Sequence, residues 1–282
     1  MSLSNKSVAV ITGAASGIGR ALAIQFAREK IAGIAISDVN EQGLNETAEM
    51  VKKLGVSVSK HIVDVSKLAE IERFKSEVLA EHGRVTHLIN NAGVALVGFV
   101  EEVSFEDMEW LMGINFWGVI YGTKVFLPIL KQQKSAHIVN ISSVFGIVAP
   151  PGQAAYCASK FAVRGFTESL RHEFEGTNIS VSSVHPGGIK TNIANQSKIG
   201  EKATDADFTR SKKFFDKASP TTAEQAAAVI IKGIKQKNPR ILIGKDARQI
   251  SLIQKMFPIK YFSVMDRFTG GKLSAMMKSK NS

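Results

Sequence analysis

The chain has 282 residues, 44% hydrophobic and 22% charged, with 23 Gly and 7 Pro, a globular composition that excludes disorder as the main state and any fibrous or low-complexity array. Its formal charge of +11 is unevenly placed: residues 1–197 carry 18 basic and 18 acidic side chains, residues 198–282 carry 18 and 7. Basicity therefore belongs to the C-terminal part, and the single Cys157 excludes an internal disulfide or a cysteine zinc cluster and points to a reducing, cytoplasmic compartment.

In chain order, a short polar start runs into the apolar segment 8–12, too brief for the core of a signal peptide. Short β-branched runs then recur at 33–37, 56–63, 85–90, 137–142, 179–185 and 240–243. Between them, 17–30, 41–54, 67–82, 105–131, 154–175 and 222–237 space their apolar residues as helices do. The longest stretch free of Asp, Glu, Lys and Arg, 135–159, is broken by Asn140, Gly146, Pro150 and Pro151, short of the about 20 apolar residues of a membrane span. Strands alternating with helices predict an α/β fold: a single Rossmann-like, doubly wound parallel sheet with helices on both faces, plus a C-terminal helical extension. We expect one domain over 1–245, with a lid at about 190–220 over the carboxyl ends of the strands, and a basic amphipathic extension over 246–282.

Thr12-Gly13-Ala-Ala-Ser16-Gly17-Ile18-Gly19 follows the first strand and opens the first helix. Glycines there allow a tight turn and close approach of a pyrophosphate, which the helix N-terminus attracts. The spacing is G-x-x-x-G-x-G, and a plain tight loop is the alternative. Asp38, just past the second strand, would accept hydrogen bonds from ribose hydroxyls and repel a 2′-phosphate, favouring NAD. Its other reading is a helix N-cap three residues before Glu41. Arg20 beside the loop keeps NADP open, unless it is a solvated helix residue.

Tyr156 and Lys160 are four residues apart on one predicted helix face. A phenol is a poor base at neutral pH, and an ammonium beside it favours the phenolate. Ser143 ends the fifth strand at the edge where such sheets bind ligands, so its hydroxyl can bond a carbonyl oxygen that gains charge; adjacent serines also form turns.

In order, Thr12-Gly13-x-x-x-Gly17-Ile18-Gly19, Asp64-Val65, Asn90-Asn91-Ala92-Gly93, Asn115, Ser143, Tyr156-x-x-x-Lys160 and Pro186-Gly187-x-Ile189-x-Thr191 resemble the motif series of the short-chain dehydrogenase/reductase family, of the type about 250 residues long. The resemblance implies an NAD(P)-dependent oxidoreductase that interconverts an alcohol and a ketone or aldehyde. It assigns Tyr156 as general acid/base, Lys160 to lower its pKa and bond the nicotinamide ribose, Ser143 to orient the substrate oxygen, and Asn115 to hold a water linking Lys160 to solvent. Asp64 and Val65 would meet the adenine, Asn90, Ala92 and Gly93 the adenosine side, and Pro186, Gly187, Ile189 and Thr191 the nicotinamide. By residue reading alone, Asn115 is a polar residue satisfying helix backbone, and the Asn90 and Pro186 segments are turns. A homodimer or homotetramer is likewise implied by the resemblance.

Phe145, Ile147, Val148, Pro150 and Pro151, with Val94, Leu96, Val97 and Phe99, either line an apolar pocket for a lipophilic substrate or pack beneath a lid. Similar sequences include 3-oxoacyl thioester reductases, whose acidic carrier the basic tail would attract; a non-catalytic nucleotide sensor is the other alternative. Trp110, Phe116, Trp117 and Tyr121 read as core packing on the long helix 105–131. Scattered histidines imply no metal, and the charge comes without a nucleic-acid motif. The segment 247–257 reads as a basic amphipathic helix packed on its own domain or a neighbouring subunit, with an anionic membrane surface as the alternative partner.

Overall fold

The structure, a computed structural model, describes residues 3–191, 197–200 and 220–271. In chain order, β1 (Val8–Thr12) leads into α1 (Gly17–Arg28), β2 (Gly33–Asp38) into α2 (Glu41–Lys52), and β3 (Ser57–Ile62) into α3 (Leu68–His82). β4 (His87–Asn90) is followed by β5 (Leu96–Val97), α4 (Phe105–Met112), a π-helical turn at Gly113–Trp117 and α5 (Gly118–Lys131). β6 (Ala136–Ile141) ends in a 3-10 turn at Val144–Gly146 before α6 (Ala154–Glu173) and β7 (Ile179–Pro186). Short β8 (Ile189–Lys190), β9 (Lys198–Ile199) and β10 (Thr221–Thr222) precede α7 (Ala223–Lys235), β11 (Arg240–Ile243), α8 (Lys245–Met256) and α9 (Tyr261–Phe268).

Seven strands form one parallel sheet in the order β11-β7-β6-β4-β1-β2-β3. Its central strands are buried throughout because helices cover both faces. Leu22, Phe26, Leu44, Ile230 and Ile234 fill one side, and Phe74, Val78, Phe126, Leu130 and Leu170 the other. Chain direction across the sheet reverses between β1 and β4, so the crevice that such a sheet offers a ligand opens at their carboxyl ends.

The expected helix 105–131 is interrupted by the π turn at Gly113–Trp117, an insertion that apolar periodicity does not register. Phe105–Lys131 is long and apolar enough to cross a membrane by length and composition, yet it buries Leu111, Val119, Phe126 and Leu130 beside the sheet. Trp117 departs from the core-packing expectation: it is exposed and stacks on Tyr121 at 5.7 Å. Most of the expected lid at 190–220, residues 192–196 and 201–219, lies outside the described residues; its described part pairs β9 with β5 and β10 with β8. The extension begins as α8 and α9, whose Ala247, Ile250, Tyr261 and Met265 pack on Val144, Ile147 and Val148 of the turn after β6. Ile147 and Val148 are thus buried beneath these helices.

Candidate active site

The turn after β1 is held tightly to the turn after β4. Thr12 Oγ1 accepts from the backbone N–H groups of Asn91 and Ala92, both at 3.0 Å, and Asn91 Nδ2 donates to the carbonyls of Thr12 (2.8 Å) and Gly13 (3.0 Å). That contact dictates glycine at 13: its φ is +67°, and a Cβ would stand 2.7 Å from Ala92 Cα. At Gly19 a Cβ would strike the Gly13 carbonyl, so the missing side chain lets α1 start against the loop. Ile18 packs toward the core, and Ser16 holds the N-cap position in extended backbone without a side-chain cap bond. No acid lies in the first turn of α1, which leaves its opening N–H groups and positive dipole end for an anion.

Asp38 ends β2 beside this loop, its Oδ2 accepting from Ala15 N at 3.0 Å and its Oδ1 from Asn40 N at 3.1 Å. It is not the cap of α2: Asn40 is, accepting from Gly43 N at 3.0 Å. Arg20 stays partly exposed beside the loop, donating to the Ala15 carbonyl (2.5 Å), Thr47 Oγ1 (3.0 Å) and the Gly43 carbonyl (3.2 Å) and pairing with Glu46 (2.7 Å). Asp64 accepts from Ser66 N (3.0 Å) and Ser66 Oγ (2.7 Å) in the turn after β3. Val65 is buried, and the bare Cα of Gly118 leaves room for it.

Asn90 faces inward rather than toward the crevice. Its Nδ2 donates to Asn140 Oδ1 (2.8 Å) and Thr123 Oγ1 (3.2 Å), and Asn140 Nδ2 donates to Thr167 (3.0 Å). This buried chain ties β4 and β6 to α5 and α6, so at position 90 only the backbone is left for a ligand.

The π turn carries Asn115 inward to complete burial. Its Oδ1 accepts from Val94 N at 2.8 Å, and its Nδ2 donates to the Val94 carbonyl (3.0 Å) and Ser159 Oγ (3.1 Å). A Cβ on Gly93 would lie 3.2 Å from Asn115 Oδ1 and 3.3 Å from Lys160 Nζ, so both polar groups converge on that glycine. Lys160 Nζ donates to the Ile141 carbonyl at 3.2 Å and sits 5.7 Å from the Tyr156 ring centre. Ser143 caps the 3-10 turn by accepting from Phe145 N at 3.1 Å, and its hydroxyl also hydrogen-bonds the Tyr156 phenol. Phe145 meets Tyr156 edge-on at 6.2 Å.

Burial sets the electrostatics here. It pushes the Tyr156 phenol up to about 12, opposed by the Ser143 hydrogen bond, and pushes Lys160 down to about 8. This corrects the expectation that the ammonium brings the phenol toward neutrality: Lys160 Nζ lies over the Tyr156 ring but spends a hydrogen bond on the Ile141 carbonyl, and desolvation outweighs attraction. At neutral pH the pair is therefore a neutral phenol beside an ammonium, a proton donor and a cation ready for the phenolate it leaves.

A family model described as short chain dehydrogenase matches residues 7–202. The chain belongs to the short chain dehydrogenases. The oxidoreductase SadH of Mycobacterium tuberculosis is 41% identical over 257 residues, covering 90% of this chain and 92% of that protein. The 3-oxoacyl-[acyl-carrier-protein] reductase FabG of Thermotoga maritima is 35% identical over 203 residues, 72% of this chain and 81% of its own. Among solved structures, a short chain dehydrogenase/reductase from Burkholderia phymatum in complex with NAD superposes with a TM-score of 0.82 at 30% identity, covering 91% of this chain and 95% of that one. An alcohol dehydrogenase from Thermococcus sibiricus complexed with 5-hydroxy-NADP gives 0.72 at 25% identity, covering 84% and 96%.

In this short chain dehydrogenase the segment after β7 is fastened by residues that motif reading passed over. Pro186 ends β7, Gly187 N donates to the Ile243 carbonyl at 3.0 Å, and Gly188 N donates to Asp246 Oδ2 at 2.7 Å. A side chain at Gly187 would collide with that carboxylate. Ile189 is buried in β8, and Thr191 reaches back over α1, its Cγ2 3.2 Å from where a Cβ on Gly17 would stand. His185 Nδ1 donates to the Ser143 carbonyl and its Nε2 accepts from Ser183 Oγ, both at 2.9 Å; burial pushes its pKa down to about 4, so it stays neutral. Asn91, Ser159, His185 and Asp246 thus position the motif residues. Of these, Asn91 and Ser159 lay inside the motifs, Ser159 at an unspecified position, while His185 and Asp246 make contacts distant in sequence that no local spacing encodes.

Proposed function

We propose that this short chain dehydrogenase is an NAD(P)-dependent oxidoreductase that interconverts an alcohol with its ketone or aldehyde by hydride transfer. NAD is its preferred cofactor and a lipophilic molecule its substrate. The observation that carries the reading is the convergence of Asn115, Ser143, Tyr156 and Lys160 at the carboxyl edge of the sheet, beside a helix N-terminus left open for an anion. A binder without turnover has no use for that set.

The residues present fit a dinucleotide. The Gly13–Gly19 turn leaves a side-chain-free approach to α1, Asp38 stands at the end of β2 to accept ribose hydroxyls, and Thr191, Ile189 and Pro186 flank the far end. Arg20, engaged by Glu46 and α2, is withheld from a 2′-phosphate, which supports NAD. When bound, the nicotinamide supplies or accepts the hydride. In reduction, Ser143 donates a hydrogen bond to the carbonyl oxygen and Tyr156 gives that oxygen its proton. Lys160 then stabilises the phenolate, and Asn115 holds the Val94 backbone beside the ammonium. In oxidation the phenolate takes the alcohol proton. Phe145 against Tyr156, with Val94 half-buried nearby, supports an apolar substrate.

Titration of NADH and NADPH by fluorescence, followed by turnover of alcohols and ketones of graded chain length, tests the reading. Absence of turnover across the panel with a bound cofactor overturns it. The FabG likeness supports a second reading, a 3-oxoacyl thioester reductase, which predicts preference for NADPH and for thioesters in the same assay. The exposed Trp117 and Phe161, on the π turn and α6, support a homo-oligomer built through that face.

A further inference from the structure

The part of the chain that carries the excess charge also exposes five large apolar side chains, Leu252, Met256, Phe257, Ile259 and Phe268. On α8, Arg248, Leu252, Lys255 and Met256 share one face, while Ala247 and Ile250 pack inward on the turn after Ser143. Beyond α8 the outward row continues through Phe257, Ile259 and Lys260 to Arg267 and Phe268, with Ile259 90% and Phe268 80% exposed. Between 247 and 282 the sequence has seven basic residues and one acid, Asp266. Apolar side chains projecting from a basic rim complement a surface that is anionic outside and hydrocarbon beneath. An acidic protein alone would leave Leu252, Met256 and Ile259 without use.

We propose that α8, α9 and the segment between them form a docking face for an anionic lipid surface. The same helices adjoin the catalytic turn: Ala149 N donates to Tyr261 Oη at 3.1 Å, and Tyr261 and Met265 pack against the Val144–Val148 segment. Docking there brings the turn after Ser143, which these helices cover, close to the bilayer, which shortens the path of a lipophilic substrate from lipid to the site. This delivery role rests on the substrate reading above; the docking itself does not.

The test is flotation of the full chain with phosphatidylcholine vesicles, with and without phosphatidylserine, at low and high salt. The expected result is flotation with the anionic vesicles only, released by salt. It should fall about tenfold or more in Lys255→Glu/Lys260→Glu, which puts two acids where two basic side chains would meet the anionic surface. A similar fall is expected in Met256→Ser/Ile259→Ser, with circular dichroism unchanged in both variants. No flotation with anionic vesicles at low salt overturns the proposal, as does flotation that both variants retain. Binding to polyglutamate that survives Met256→Ser/Ile259→Ser and competes away the vesicles assigns the patch to an acidic protein and also overturns it. So does an oligomer that Met256→Ser/Ile259→Ser dissociates without any vesicle binding. Because flotation needs no turnover, its failure is separate from failure of the substrate reading, which turnover of soluble alcohols and ketones decides.

Discussion

Lowering the pH should unfold this protein well before its carboxylates protonate, because three histidines are buried as neutral bases. His87 and His137 face each other across β4 and β6 with ring centres 6.5 Å apart. Thr86 Oγ1 spends its own proton on the Val8 carbonyl, so His87 Nδ1 must donate to it, at 2.8 Å. Ser182 Oγ likewise donates to the Asn238 carbonyl, so His137 Nε2 donates to it, also at 2.8 Å. The remaining nitrogens, His87 Nε2 and His137 Nδ1, are buried acceptors without a partner among the described residues, and protonating both would place two cations in the core. Burial pushes His87 and His185 down to about 4 and His137 to about 3. Folded values below the ordinary 6.5 mean that stability is complete above pH 6.5 and falls as the unfolded chain takes up protons that the folded chain refuses. At pH 5 each histidine costs about 2 kcal/mol, about 6 kcal/mol for the three, comparable with the whole stability of an ordinary domain. Urea unfolding at pH 8 and pH 5, followed by circular dichroism, measures the difference, and His137→Asn should remove about a third of it. A loss below about 1 kcal/mol between those pH values would refute the reasoning.

Tyr156→Phe should lower kcat by about two to four orders of magnitude while NADH still quenches protein fluorescence at a similar concentration; turnover near that of the parent enzyme would remove Tyr156 from the mechanism. Asp38→Asn keeps an acceptor for the Ala15 and Asn40 N–H groups but drops the charge, and should raise the kcat/KM ratio of NADPH to NADH about tenfold or more, a change of about 1.4 kcal/mol; an unchanged ratio would disprove carboxylate discrimination. With Lys160 pushed down to about 8, its charge is present below that pH and lost above it, so carbonyl reduction should decline above about pH 8. Lys160→Met should be slow throughout and lack that limb, and a wild-type rate flat to pH 10 would contradict the assignment.

The layered sheet was legible because its strands are apolar runs of standard length, and Gly33–Asp38 or Arg240–Ile243 differ from expectation by a residue at most. The crevice was legible for a related reason: Gly13 and the Tyr156–Lys160 pair lie within single local motifs, where spacing fixes geometry. What escaped is what depends on distant contacts. The π turn that buries Asn115 adds one residue per turn inside an otherwise regular apolar pattern. Asn90 looked like a ligand-edge residue, yet its register opposite Asn140 commits its amide to the core. The phenol's raised pKa came from desolvation, a property of everything packed around Tyr156, which a four-residue spacing cannot convey.

The clasp between Asp246 and Gly188 has a consequence for how the molecule is made. A chain emerging from the ribosome can pair β1 to β7 once residues up to 186 are free, yet the segment after β7 is fastened only by later residues, first Thr221 and Thr222 against β8, then the Ile243 carbonyl on Gly187 and last Asp246 on Gly188. The cover over the Ser143 turn waits longer still, for Tyr261 and Met265. A chain that stops after β11 would hold every strand of the sheet and still lack the Asp246 bond to Gly188 and the Tyr261 and Met265 cover over the Ser143 turn, so the candidate site is completed last.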